Sequence, residues 1–319
     1  MLTSEENIDS TTEYKIERLT EDRLEDLSNL HSKVYSSVSY DWYRKKYDTA
    51  YTGIQYVGFI AYNISGQPIA YYGVIPCFIE YENRIILVAQ SADTMTHPEH
   101  RYKGMFVKLA NMTYQLCSVL GIHLIFGFPN QHSYMGLIRT GWELKDRMDY
   151  FTIPVSKSPL KFLFSRSRIF KKKYDQYCAS VLKKITVPVK GIPNSFIAEG
   201  YAGISRAEGY LQYKTYSHTI VIDLSRVRLW IKIGKSLTVG DIENINEQNF
   251  FAVINQLKKI GKKIGVSNIQ FHSTRGSRLH QLFSNRYNAK PSFLVLFKTL
   301  RPGIAAERIK FTFADIDIF

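Results

Sequence analysis

Apolar and polar positions alternate along much of the first half of the chain and then switch to helical spacing at defined points. Residues 13–19 alternate as a strand does, and Leu24, Leu27, Leu30 and Val34 then recur at three- and four-residue steps, predicting a helix over 21–35. Residues 40–47 predict a second short helix. Two β-rich runs, 56–64 and 68–81, are separated by Ser65-Gly66-Gln67, and a third long strand follows over 84–95 beyond the break at Asn83. Phe106, Leu109, Ala110, Thr113, Leu116, Cys117 and Leu120 then mark one buried helix face, which Gly121 is placed to end. A strand over 123–128, a short helix over 133–139 and a strand over 148–155 complete this half.

The second half repeats that order more faintly. Phe250, Val253, Ile254, Leu257 and Ile260 share a helix face, followed by a strand over 266–271, a short helix over 277–283 and a strand over 292–297. The shared order predicts two related domains, over 13–155 and 191–319, with a disordered tail at 1–12 and a basic helical connector at 156–190. Ahead of the second long helix, Gly240-Asp-Ile-Glu-Asn-Ile-Asn has no basic, glycine-bearing loop, so only the first domain is expected to hold a phosphate site.

Composition narrows the classes. The 319 residues are 45% hydrophobic and 22% charged, as in soluble globular proteins, and no apolar run reaches the about 20 residues that cross a bilayer. The first residues are acidic and polar, unlike a secretory signal. Cys77, Cys117 and Cys178 are too widely spaced for a disulfide framework or a metal signature, so a reducing cytoplasmic setting and no metal are expected. The formal charge is +14, and acids concentrate in the first 30 residues, leaving the remainder more basic still. Such a chain favours anionic partners. Nucleic acid is disfavoured, because no helix-turn-helix, zinc or RNP-like signature accompanies the charge. The basic aromatic stretch 157–184 fits either contact with an anionic membrane surface or a helix packed by its Phe and Leu side chains.

Chemistry concentrates at Thr96-His-Pro-Glu-His-Arg101-Tyr-Lys-Gly104-Met-Phe106, where a long strand gives way to an amphipathic helix. A helix N-terminus exposes unpaired N–H groups and binds anions, Gly104 frees the backbone there, and Arg101 and Lys103 add positive charge.

This segment resembles the acyl-CoA loop of GNAT (GCN5-related) N-acetyltransferases, which read Arg/Gln-x-x-Gly-x-Gly/Ala. Arg101 and Gly104 match, while Phe106 replaces the last small residue, as in a two-domain bacterial subgroup. Asn130 and Gly141-Trp142 match the Asn after the fifth strand and the Gly-aromatic pair that opens the next hairpin. The resemblance covers about 13–155, and Phe313-Ala-Asp-Ile-Asp-Ile-Phe319 is similar to that subgroup's C-terminal ending. It implies a mixed α/β fold with a mostly antiparallel sheet flanked by helices, followed by a degenerate second GNAT-like domain. It also implies acetyl-CoA or another acyl-CoA, bound by Met95 and Thr96 on the fourth strand, by Arg101, Tyr102, Lys103, Gly104, Met105 and Phe106, and by Asn130 with Ser133.

Acyl transfer to an amine needs proton removal from the amine and protonation of the departing thiolate. Many GNAT enzymes place a Tyr seven residues after the Asn as the thiol's acid. That position is Leu137 here, and Tyr134, one turn earlier, is the nearest substitute. Asp93 is the one carboxylate on the fourth strand and the candidate base, or else a carboxylate paired with a nearby Arg or Lys. His132 is a further candidate, and His97 a weaker one. Trp42, Tyr43 and Tyr47 either wall the acceptor groove or are core. The expected activity is N-acylation of a small or sugar-linked amine. A FemAB-like aminoacyl transferase and a non-catalytic CoA-binding module are the alternatives.

Overall fold

The structure, a computed structural model, describes residues 14–155 and 168–319. The expected tail at 1–12 and the first part of the basic segment, 156–167, lie outside the described residues. The chain divides into two compact units, and neither is contiguous in sequence. The first is Met1–Cys77, Leu87–Glu143 and Leu296–Gly303; the second is Phe78–Ile86, Leu144–Val295 and Ile304–Phe319. This differs from the contiguous boundaries expected at 155 and 191.

The first unit holds β1 (Tyr14–Arg18), α1 (Leu24–Val34), α2 (Tyr40–Tyr47), β2 (Val57–Asn63), β3 (Pro68–Tyr81) as far as Cys77, β4 (Arg84–Thr96) from Leu87 onward, α3 (Met105–Val119), β5 (Leu124–Gly127) and α4 (Tyr134–Arg139). The sheet order is β1-β2-β3-β4-β5. Strands β1, β2 and β3 are antiparallel, β4 and β5 parallel, and residues 296–299 add an antiparallel strand beyond β5. This is the mixed, mostly antiparallel sheet flanked by helices that the resemblance implies. The β3–β4 turn has positive φ at both Glu82 and Asn83, matching the twist of the strands it joins. Helix α3 buries Met105, Leu109, Ala110, Thr113, Tyr114 and Cys117. Its buried face is therefore rotated from the expected one, with Phe106, Leu116 and Leu120 only half-buried.

Strand β6 (Glu143–Pro154) pairs with Asn268–Thr274 over residues 148–154, inside the second unit. Beyond it lie Leu237–Glu243, Val227–Ile233 and Thr219–Leu224, three strands beyond the elements expected above. Two helices cover this core. Glu247–Ile264 buries Phe250, Val253, Ile254 and Leu257, and on Arg168–Leu182 the Tyr174 hydroxyl donates to the Ile264 carbonyl. The described part of the basic connector thus packs within the second unit.

Strand 237–243 pairs in parallel with 268–274 only through Val239 and Phe271. Past that point the Phe319 ring lies where any side chain on Gly240 would sit. Arg206, buried, joins Asp241 at 2.6 Å to Asp315 at 2.8 Å and fixes the 312–315 turn. The N-terminus of 247–264 is closed by its own Asn246 capping box. An anion would find those N–H groups already taken.

Candidate functional site

Every candidate site residue lies in the first unit. After Pro98–His100, a short 3-10 turn that His97 caps, the chain enters α3 through two left-handed residues, Tyr102 (φ +65°) and Gly104 (φ +76°). Gly104 is required for its backbone conformation. A Cβ there would meet no protein atom within 4 Å, so within the protein itself the left-handed φ, and not a packing contact, is what favours glycine. The α3 N-terminus has no side-chain cap and no acid in its first turn. Arg101, Tyr102 and Lys103 are exposed beside it, while Met105 is buried and anchors the turn. This end therefore offers free N–H groups, the positive end of a 15-residue helix dipole and two cations to one anion.

Strand β4 supplies the second element. It pairs with β5 only at Ala89↔Ile125 and Gln90↔Phe126, then runs on to Thr96. From Ser91 to Thr96 its edge toward β5 has no strand partner among the described residues, and Met95 and Thr96 lie on this free edge. A parallel pair that parts in this way leaves backbone donors and acceptors for an extended, amide-bearing chain.

Asn130 is exposed beyond the end of β5. Its Oδ1 accepts from the His132 and Ser133 amides at 2.8 and 3.1 Å, which starts α4. The Nδ2 donors of Asn130 have no partner among the described residues, and neither does the Tyr134 hydroxyl. His132 is exposed, with Gln131 beside its ring. Phe106 packs on α4, its ring within 2.7 Å of any Cβ on Gly136, so the position where a small residue is usual serves here to dock α4 on α3. Leu137 is buried.

Asp93 has φ +51°, so strict side-chain alternation along β4 fails at this residue. Its Oδ2 lies 2.7 Å from the Lys46 ammonium and 3.0 Å from the Tyr47 hydroxyl, both on α2. Lys46 is 1% exposed and Asp93 13%, so this ion pair is largely removed from water. The Oδ1 of Asp93 accepts from no other group among the described residues. Tyr43 and Tyr47 are core, while Trp42 is half-buried with the Lys46 ammonium 4.7 Å from its ring centre. Burial first, and then the charge of Asp93, push the Tyr47 hydroxyl well above its ordinary range. The same two causes raise Tyr35, whose hydroxyl donates to the Thr94 carbonyl.

A chain of hydroxyls leads inward from Ser91: Ser91 donates to Tyr72 (3.1 Å), Tyr72 meets Tyr114 (3.2 Å), and Tyr114 meets Thr140 (3.1 Å). The Trp142 indole donates to Tyr114 at 2.7 Å. Trp142 is therefore an internal hydrogen-bonding residue under the site.

Sequence reading missed Lys46, Tyr35 and Ser91. Lys46 carried a signal: it lies three residues after Tyr43 and one before Tyr47, on the face of α2 that goes inward. A lysine there needs a buried carboxylate. Ser91 carried none.

Residues 15–145 match the family described as an acetyltransferase (GNAT) domain. None of the curated proteins compared matches the chain. Among solved structures it is similar to a GCN5-related N-acetyltransferase from Kribbella flavida, at 13% identity over 91% of this chain and 72% of that one, TM-score 0.61. A GCN5-related N-acetyltransferase from Anabaena variabilis matches at 14% identity over 90% and 73%, TM-score 0.57. N-myristoyltransferase from Saccharomyces cerevisiae, solved with bound myristoyl-CoA, matches at 8% identity over 93% and 82%, TM-score 0.55. At such identities the likeness is one of fold. No described helix is long and apolar enough to cross a membrane.

Proposed function

We propose that the chain, whose residues 15–145 match an acetyltransferase (GNAT) domain, transfers the acyl group of acetyl-CoA to the amine of a small or sugar-linked acceptor. One observation carries the reading: the uncapped, left-handed entry to α3 stands directly after the free edge of β4, so an anion site and an extended-chain site are consecutive.

In this reading the diphosphate is held by the backbone N–H groups of Gly104, Met105 and Phe106, with Arg101, Tyr102 and Lys103 beside them. The pantetheine arm lies along Met95 and Thr96 and receives a hydrogen bond from the Asn130 amide, which Ser133 helps to orient. When bound, the coenzyme supplies an activated thioester carbonyl. The chain's residues supply the rest. Asp93, fixed by Lys46 and Tyr47, turns its second oxygen toward the incoming amine and accepts its proton directly or through water. Tyr134 replaces the acid that Leu137 cannot be, and His132 stands on the exposed side as an alternative proton acceptor. A second reading, a CoA-binding module without turnover, is favoured by the burial of Leu137 in the acid's place.

Calorimetry with acetyl-CoA tests the binding. Wild type is expected to bind and Gly104→Glu to lose affinity at least tenfold, because it adds a negative charge and a strained φ; equal affinities, or no binding by either, would sink the reading. Asp93→Asn and Tyr134→Phe then separate the two functions. An enzyme loses turnover in a panel of amines while keeping affinity, and a module has no turnover to lose.

A further inference from the structure

The hydroxyl chain beneath β4 has a direction, because its inner end is fixed. Thr140 Oγ1 contacts the Leu137 and Gly136 carbonyls at 2.9 and 3.3 Å, and a carbonyl only accepts, so the Thr140 proton is committed there. The contact between Tyr114 and Thr140 must then use the Tyr114 proton. Tyr114 has none left for Tyr72, so Tyr72 donates to Tyr114, and Ser91 donates to Tyr72. The Trp142 indole, which can only donate, fills the remaining acceptor place on Tyr114. Burial raises both Tyr72 and Tyr114 above the ordinary phenol range, so both phenols keep the protons this count assigns them. Each proton is spent inward, and Ser91 Oγ is left with lone pairs alone.

Ser91 is also placed where the two parallel strands part. It follows Gln90, the last β4 residue paired with β5, and a Cβ on Gly127, which follows Phe126, would lie 3.5 Å from the Ser91 Cβ. From Thr96 back to Ser91 the strand spans about 16 Å at a rise of about 3.3 Å per residue. A coenzyme with its diphosphate at Gly104 and its arm along β4 therefore brings its sulfur end to Ser91. This step rests on the coenzyme reading given above.

We propose that Ser91 Oγ is a dedicated hydrogen-bond acceptor for the sulfur end of the bound coenzyme, taking either the amide N–H nearest the sulfur or the thiol S–H. Ser91→Ala removes the acceptor, and Tyr72→Phe breaks the chain behind it while leaving the acceptor in place. Calorimetry with CoA and with desulfo-CoA, which keeps the amide but lacks the thiol, reads the result. Ser91→Ala is expected to weaken CoA about threefold to tenfold, the worth of one hydrogen bond. Tyr72→Phe should stay within about twofold of wild type. An equal loss for desulfo-CoA assigns the amide N–H; a loss confined to CoA assigns the thiol. Unchanged CoA affinity in Ser91→Ala overturns the proposal, as does a loss in Tyr72→Phe equal to that in Ser91→Ala, which would mean that packing alone is felt. A wild type that binds neither ligand overturns the coenzyme reading itself and this proposal with it.

Discussion

Removing the Lys46 charge should expose how the site holds Asp93. The ammonium is 1% exposed and lies 2.7 Å from the carboxylate. Breaking a buried pair from one side costs about 3–5 kcal/mol, because the remaining charge stays out of water. Lys46→Met should fall below that range, at about 2–3 kcal/mol, since Asp93 keeps the Tyr47 hydroxyl and is 13% exposed. Asp93→Asn should cost more, about 3–5 kcal/mol, because the ammonium it leaves behind is the deeper partner. Lys46→Met with Asp93→Asn removes both charges, and its cost should fall short of the sum by about 2 kcal/mol. Urea unfolding of the four proteins, at one pH and salt concentration, measures this coupling. Costs that add to within about 0.5 kcal/mol would refute the argument that the ion pair fixes Asp93. The same proteins inform the chemistry. Lys46→Met keeps the carboxylate, so if Asp93 accepts the amine proton, its turnover should exceed that of Asp93→Asn by about a hundredfold or more.

Three further outcomes are expected. Gly136→Ala drives a Cβ to 2.7 Å from the Phe106 ring and should cost about 1–3 kcal/mol and weaken CoA binding, with Phe106→Leu restoring both; a neutral Gly136→Ala would show that α4 does not dock through that ring. His272 stacks on Phe313 and Tyr150, and burial lowers it from 6.5 to about 4. The unfolded chain therefore takes up this proton first, so stability worth about 3 kcal/mol is present above about pH 6.5 and is lost as the pH falls toward 4. Urea titrations of His272→Phe between those limits should show a shallower loss than wild type, and identical slopes would contradict the assignment. Cys77, Cys117 and Cys178 are buried, and burial pushes the Cys117 thiol up to about 12, so a thiol reagent should find them unreactive in the native protein and all reactive in denaturant.

Local pattern by itself determined the elements of the first unit and the glycine-bearing entry to α3. The α2 and β3 boundaries coincide with the predicted 40–47 and 68–81, and α3 begins one residue before its predicted stripe. Helix periodicity, strand alternation and a glycine at a left-handed position are short-range properties, legible wherever apolar residues face one way. The burial of Lys46 was legible in principle from its neighbours on α2, but its partner was not. Asp93 meets Lys46 because a positive φ turns its side chain toward α2, and nothing in Ala92-Asp93-Thr94 announces that conformation. The strands between 219 and 243 were legible in part: Val227, Leu229, Ile231 and Ile233 alternate with Arg228, Trp230 and Lys232, whereas Thr219–Leu224 is mostly a continuous apolar run whose period does not separate strand from helix.

Tertiary structure alone decided the rest. Which strands pair is a matter of long-range register, so only the fold could assign residues 296–303 to the first unit and 144–155 to the second. Only the fold could show that the second parting of parallel strands is filled by Phe319 and self-capped by Asn246, while the first keeps a free edge from Ser91 to Thr96. Proton direction along Ser91, Tyr72, Tyr114 and Thr140 depends on which oxygen atoms meet, across separations of up to 42 residues. Sequence spacing carries no record of such contacts, because a hydroxyl is committed as donor or acceptor only by the partner that packing brings to it.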